Sequence, residues 1–276
     1  MNPAISILIR TFNSAGTLPS VLDRLELQPE DEIIIVDSGS TDATLAIAEK
    51  YRARILVAEP PFNYSKSLNI GFQAAKNPWV LVLSSHCIPV SSRFLTGWRE
   101  SAGNFPHNVA VAYGARLLAA GEKSPVDSKP AYCLNRAEWE EHKPIFAGNS
   151  NAIYRLDGWR RHEFNEKMPT GEDMEWLLWA LRNGHIIAHV PDAIVLYRNS
   201  GSLRYMYGKG FTEAMVERKL LGLEPPSFLR LGIGIGSLIK KLFSGQMPLD
   251  VFAKQCAHQY GAFWGSRQTK TAGKET

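Results

Sequence analysis

"DEIIIVDSGSTD" (residues 31–42) is the stretch on which the fold turns. Ile33-Ile34-Ile35-Val36 is an unbroken apolar run that stops at Asp37. Such a run reads as a strand buried on both faces, the habit of parallel sheets. Asp37 then stands where the strand leaves the sheet, the edge at which α/β proteins bind ligands. Gly39 permits a tight turn. Ser40, Thr41 or Asp42 is expected to cap the helix "STDATLAIAEKYRA" (40–53). At that edge a carboxylate can accept an N–H from a base or a ribose hydroxyl, or it can simply shape the turn.

The same rhythm extends in both directions. "AISILIRTFN" (4–13) is a strand, and "SAGTLPSVLDRLELQ" (14–28) places Leu18, Leu22 and Leu25 at helical spacing. "RILVAEPP" (54–61), "SKSLNIGFQAAKN" (65–77) and "WVLVLSS" (79–85) add a strand, a helix and a strand. Four such alternations with short connections predict an α/β fold: a Rossmann-like, mostly parallel sheet flanked by helices. Beyond residue 90 the pattern loosens. "SRFLTGWRESAGNF" (92–105) reads as a helix, "VAVAYGARLL" (109–118) as a strand, and 120–147 as a polar loop. "GEDMEWLLWALRNGH" (171–185) is an amphipathic helix stopped at Gly184, and "IIAHVPDAIVLY" (186–197) gives one or two short strands.

Composition narrows the function. The chain has 276 residues, room for one large domain or a domain with an appendage. Its net charge of +4 is too mild to argue for nucleic acid and suits an anionic ligand or an acidic membrane surface. Cys87, Cys133 and Cys256 form neither a disulfide framework nor a zinc spacing, which points to a reducing cytoplasm. The amino-terminal apolar run contains Arg10 and reads as a strand rather than a signal peptide. No apolar stretch is long enough to span a bilayer. There is no G-x-G-x-x-G after the first strand and no G-x-x-x-x-G-K-[ST], which counts against dinucleotide dehydrogenases and P-loop NTPases. The late "GIGIGS" (232–237) reads as a flexible or packing segment.

Four stretches, "SILIRTFNSAGTL", "EIIIVDSGSTDATLAIAEKY", "FNYSKSLNIGFQAAKNPWVLVLSSHCIP" and "GEDMEWLLWALRNGH", together resemble the family 2 glycosyltransferases, inverting enzymes of GT-A fold. The likeness runs in order over about residues 4 to 200. It implies a GT-A catalytic domain at 1–200, with a nucleotide-sugar half at about 1–115 and an acceptor half at 116–200. A helical extension follows at 201–276. It also implies a nucleotide-sugar donor, a glycan or glycolipid acceptor, and a product in surface-glycan synthesis. The resemblance places Thr11 and Asn13 in the base pocket, Asp37 on the base, and Lys66 and Asn69 at the ribose and diphosphate. Lys66 would supply a compact counter-charge; the plain alternative is a lysine on a solvated helix face. Asn149, with Gly148, would line the donor sugar and acceptor. Of the Glu172-Asp173 pair, Asp173 would be the catalytic base, although acids are also at home at any helix amino terminus. Trp176, one turn on, fits beneath a sugar or in the core.

One departure concerns the metal. GT-A enzymes usually end the fourth strand in Asp-x-Asp, whose last acid helps to hold Mn²⁺ or Mg²⁺. Here the place is taken by Ser84-Ser85-His86. Three roles are open to His86: a metal ligand, a direct partner for phosphate or sugar alongside Ser85, or a buried histidine with no ligand. Metal dependence is therefore open. Farther along, His185 and His189 are second-site candidates, with His189 better explained as structural. "PSFLRLGIGIGSLIKKLF" (226–243) mixes large apolar residues with Arg230, Lys240 and Lys241. It reads equally as a helix lying on an anionic bilayer, which would make the protein peripheral on the inner membrane face, or as one packed back on the catalytic domain. Two rivals to glycosyl transfer remain: a sugar-phosphate nucleotidyltransferase, and a degenerate GT-A protein that only binds.

Overall fold

The computed structural model describes residues 2–117, 131–141, 148–198, 202–222, 225–247 and 249–267. The chain divides into two compact units, Met1–Met168 with Glu172–Asn199, and Pro169–Gly171 with Ser200–Thr276.

The first unit opens with β1 (Ile5–Thr11), α1 (Leu18–Leu22), β2 (Glu32–Asp37), α2 (Thr44–Lys50), β3 (Arg54–Val57), α3 (Tyr64–Ala74) and β4 (Trp79–Ser84). The strands lie in the order β3-β2-β1-β4, all parallel. Successive residues of a strand point to opposite faces, and here both faces are buried: Ile7, Leu8 and Ile9 are inaccessible, as are Leu81, Val82 and Leu83. Register sets Thr11 beside Asp37 and Arg10 beside Ser84. The carboxyl ends of three strands therefore form one polar edge.

The unit continues with β5 (Cys87–Pro89), α4 (Phe94–Asn104), β6 (Val109–Leu117), β7 (Tyr132–Leu134), α5 (Arg136–Glu141), β8 (Asn151–Arg155), α6 (Leu156–Arg161), α7 (Glu172–Arg182) and β9 (Ile186–Tyr197). The sheet extends from β4 through β8, β6 and β9 to β5, with β7 also on β9. β8 runs antiparallel to β4 and β6, while β6 and β9 are parallel. The α/β fold is thus as expected; the first four strands are parallel throughout, and the rest of the sheet mixes parallel and antiparallel pairs. Hydrophobic runs carry no information on strand direction, so the mixed half was not legible.

Several local expectations change. Helix α1 spans only five residues, although Leu25 beyond it is still buried. Helix α2 begins at Thr44 with no side-chain cap from its N-cap residue. Ser40 and Thr41, expected to cap it, bond elsewhere: the Ser40 hydroxyl donates to Asp37, and the Thr41 amide donates to Asn13. Of the stretch read as a polar loop, residues 131–141 contain β7 and α5; most of the rest lies outside the described residues. β9 is one strand of 12 residues. Its register on β6 jumps from Val190 to Ile194, and this irregularity accommodates Pro191, which has no N–H for the ladder.

The second unit is helical: α8 (Leu203–Leu221), α9 (Phe228–Phe243) and α10 (Leu249–Gly265). Ser202 and Ser227 cap α8 and α9, each accepting from the amide three residues on. α8 and α10 pack at close range. A Cβ on Gly210, Gly261 or Gly265 would overlap a backbone carbonyl of the opposite helix. "GIGIGS" lies inside α9, not in a flexible link. Leu238 is buried there, and a Cβ on Gly234 would come within 2.8 Å of Gln259 Oε1 in α10.

Candidate active site at the carboxyl edge of the sheet

Two hydrogen-bonded groups occupy this edge. The first surrounds Asp37, which is 2% exposed. Its Oδ1 accepts from Thr11 Oγ1 (2.7 Å) and Ser40 Oγ (2.6 Å), and its Oδ2 from the Gly39 and Ser40 amides (3.0 and 2.7 Å). A carboxylate has about four acceptor positions. All are filled from within the chain, so a base N–H could reach Asp37 only by displacing a donor. The geometry is that of a turn-holding residue, as Gly39 with φ +89° also indicates. Asn13 completes the web in the left-handed region (φ 47°): its amide donates to Ser40 Oγ, and its Oδ1 accepts from the Thr41 amide.

Residues beside this web remain available. Ser38 Oγ is buried and has no hydrogen-bond partner. Phe12, at the end of β1, is 62% exposed. The sequence offered a signal for both: each adjoins a residue already placed at a strand end.

The second group surrounds Asn149, which is 5% exposed and just precedes β8. Its Nδ2 donates to Glu172 Oε1 (3.0 Å), its Oδ1 accepts from Tyr154 Oη (2.6 Å), and its amide donates to Asp173 Oδ2 (3.2 Å). Asp173 Oδ1 accepts from the Met174 amide (2.8 Å). Glu172 is buried, whereas Asp173 is half-buried. Both acids lie in the first turn of α7, where exposed backbone N–H groups favour negative charge. Arg10 Nη1 lies 4.0 Å from Glu172 Oε1, with its guanidinium 5.1 Å from the centre of the Tyr64 ring. A Cβ on Gly148 would meet Arg116 Nη1 and Asp173 Oδ2 at 3.6 and 3.7 Å, so backbone and both charges converge.

Burial pushes Tyr154 well above the ordinary tyrosine range, with the nearby Tyr113 and Asp173 adding to the effect. Tyr113 is raised in the same direction by burial first and the Asp173 charge second. Tyr154 therefore remains protonated and keeps its hydroxyl on Asn149.

His86 lies in the turn between β4 and β5, half-buried, with its ring 5.0 Å edge-on from Tyr197 and its carbonyl accepting from the Arg198 amide. Ser85 Oγ is 2.8 Å from Ser14 Oγ. The Ser84 amide donates to the Ser150 carbonyl, which ties this turn to the segment carrying Asn149. Among the described residues no three His, Cys, Asp or Glu side chains form a metal-holding group. The described side chains alone do not offer a divalent-cation ligand set at His86.

The residues on α3 behave differently. Asn69, expected at the ribose and diphosphate, is 8% exposed and fully engaged inside the protein. Its Oδ1 accepts from Trp159 Nε1 and the Phe164 amide, and its Nδ2 donates to the Phe164 carbonyl and Glu166 Oε1. It pins the segment after α6 onto α3. Lys66 Nζ donates to the Glu59 carbonyl at 3.2 Å. Trp176 is a core residue, inaccessible, with its Nε1 donating to the His162 carbonyl. His189 is buried in β9 and stacked on Tyr132.

Comparison with known proteins agrees with this architecture. The S. aureus TarS 1–349 structure matches with TM-score 0.59 and 18% identity, over 95% of this chain and 90% of that one. The mannosyltransferase PcManGT from Pyrobaculum calidifontis, solved with GDP-Man and Mn²⁺, matches with TM-score 0.57 and 14% identity, over 96% and 72%. At such identities the likeness establishes the fold. The O-antigen chain rhamnosyltransferase RfbN of Salmonella typhimurium is 24% identical over 97% of this chain and 92% of its own length. Residues 6–158 match the profile of glycosyl transferase family 2. That match spans β1 to α6, including the Asp37 web and Asn149, and the chain belongs to glycosyl transferase family 2.

Proposed function

We propose that this glycosyltransferase moves one sugar from a nucleotide-sugar donor to a hydroxyl of a glycan or glycolipid acceptor, with inversion, in the synthesis of a surface glycan. The observation that carries the reading is the convergence of Asp173, Glu172, Asn149 and Arg10 at the sheet edge that also bears the Asp37 turn. The O-antigen chain rhamnosyltransferases of Salmonella typhimurium and Salmonella anatum support the surface-glycan assignment. The TarS structures with UDP and UDP-GlcNAc support a nucleoside diphosphate donor.

The chemistry follows from the positions. The nucleobase lies against Phe12, with the Ser38 hydroxyl as a hydrogen-bonding group. Thr11, Asn13, Asp37 and Ser40 hold the turn that shapes this pocket. Arg10 and His86 stand at the ends of the neighbouring strands β1 and β4, where Arg10 registers with Ser84. Together with Lys66 they face the diphosphate, Arg10 and Lys66 as cations and the His86 ring as a hydrogen-bonding group. The two oxygens of Asp173 each accept a backbone N–H, which fixes the carboxylate at the start of α7. The carboxylate takes the proton of the acceptor hydroxyl as the hydroxyl oxygen bonds to the anomeric carbon. The bond from that carbon to the phosphate oxygen breaks on the opposite face, and the nucleoside diphosphate leaves with the electron pair. Glu172 stays charged, paired with Arg10 and held by Asn149.

A thermal-shift panel of UDP-, GDP- and dTDP-sugars tests the donor class. A ligand at a hundred times its dissociation constant adds about 2.7 kcal/mol. Transfer followed by NMR of the anomeric proton then tests inversion. No stabilisation by any nucleotide sugar, or retained anomeric configuration, would overturn the reading. Binding without transfer or hydrolysis would favour the degenerate binding protein.

A further inference from the structure

α9 presents an outward face with an unusual composition. Phe228, Ile233, Ile239 and Phe243 are 68%, 63%, 40% and 85% exposed. At 100° per residue these four fall within one broad face, together with Gly232, Gly236 and Lys240; Phe228, at its edge, also packs on Phe263 of α10 and lies under the Arg267 guanidinium. A Cβ on Gly232 or Gly236 would meet nothing within 4 Å, so this strip is open. The opposite side is occupied: Leu238 is buried and Gly234 approaches Gln259 of α10. Leu249, at the start of α10, is a further exposed apolar residue at 69%. Large apolar side chains left in water in this density mark an interaction surface.

Charge decides the partner. α9 contains Arg230, Lys240 and Lys241 and no acidic residue. Lys240 lies on the exposed face, with Arg230 and Lys241 on the other side, and a second copy of this helix would set Lys240 against its like. An anionic lipid surface would accept both the apolar residues and this cation. Length decides the mode: 16 residues at 1.5 Å each give about 24 Å, short of a hydrocarbon core of about 30 Å. No helix among the described residues is long and apolar enough to cross a membrane. We infer that α9 lies flat in the headgroup region of an anionic bilayer, inserting Phe243, Ile233 and Ile239 with Lys240 at the phosphates.

Vesicle co-sedimentation of the full chain tests this, using phosphatidylglycerol–phosphatidylcholine vesicles against phosphatidylcholine alone. The wild type should pellet with the anionic vesicles and remain in solution with the neutral ones. Lys240→Glu should lower partitioning at least about fivefold, equivalent to one cation at about 1 kcal/mol. Ile233→Ser with Phe243→Ser should lower it at least about tenfold through lost apolar contact. Both variants should keep the wild-type circular dichroism spectrum and the wild-type turnover on a soluble acceptor. That turnover separates lipid docking from the transfer reaction. Wild type that stays in solution with anionic vesicles would overturn the inference, as would equal pelleting by all forms. Self-association of the wild type that Phe243→Ser abolishes, without lipid binding, would assign the face to a second copy instead.

Discussion

Replacing Asp173 by Asn tests the centre of the proposed mechanism, and the structure predicts two separate effects. The first is on stability. Asp173 accepts two backbone N–H groups, from Asn149 on Oδ2 and Met174 on Oδ1. An amide retains only one oxygen, so its NH₂ must face a backbone donor at the other position. Losing one charge-assisted hydrogen bond costs about 1.5–3 kcal/mol, with the lower end fitting a half-exposed group. For a chain of this size that lowers the melting temperature by roughly 3–8 °C. The second effect is on rate. The amide cannot accept the hydroxyl proton, and loss of a general base costs about 10²–10⁴ in turnover. Donor affinity should hold within a few-fold, because Arg10, His86 and the Asp37 turn are untouched. Initial-rate kinetics with saturating donor, calorimetric titration of donor, and a melting curve read the three quantities independently. A kcat within a few-fold of wild type would refute the assignment of Asp173 as base. A large fall in donor affinity at unchanged kcat would move it to the binding site instead.

Asp37→Ala should destabilise the ligand-free protein by about 2–4 kcal/mol, since two turn amides and two hydroxyls lose their acceptor; an unchanged melting temperature with weakened nucleotide binding would restore Asp37 as a direct base contact. Tyr154→Phe should weaken the hold on Asn149, lowering turnover more than donor affinity. It should also flatten the alkaline limb of stability. The raised pKa of Tyr154 makes the folded state the better proton binder above about pH 10, so its contribution is present below that pH and is lost as pH rises toward the folded value. Equal alkaline unfolding curves for mutant and wild type would contradict this. His86→Ala should raise the donor KM under both chelator and added Mn²⁺; donor kinetics identical to wild type under both conditions would remove the ring from the site.

Local sequence determined much of this protein. The apolar runs ending at Thr11, Asp37 and Ser84 set three parallel strands, and their ends set the polar edge, because strand burial and exit are written in composition and period. Glu172 and Asp173 were legible as a pair at a helix start. Tertiary structure alone decided how these parts are used. From sequence, Asp37 could be a ligand acceptor or a turn-shaping residue; the fold brought Thr11 and Ser40 onto it across 26 and 3 residues. Asn69 looked like a ligand contact until residues 159–166 folded over α3 and consumed its amide. The Tyr154–Asn149–Glu172 chain joins a strand, a loop and a helix, and no spacing announces it. In α9, helical period could mark an apolar face, but only packing on α10 determined which side of the helix remained in water. Hydrogen-bond satisfaction and side-chain exposure are properties of three-dimensional neighbours, and a linear pattern can only suggest them.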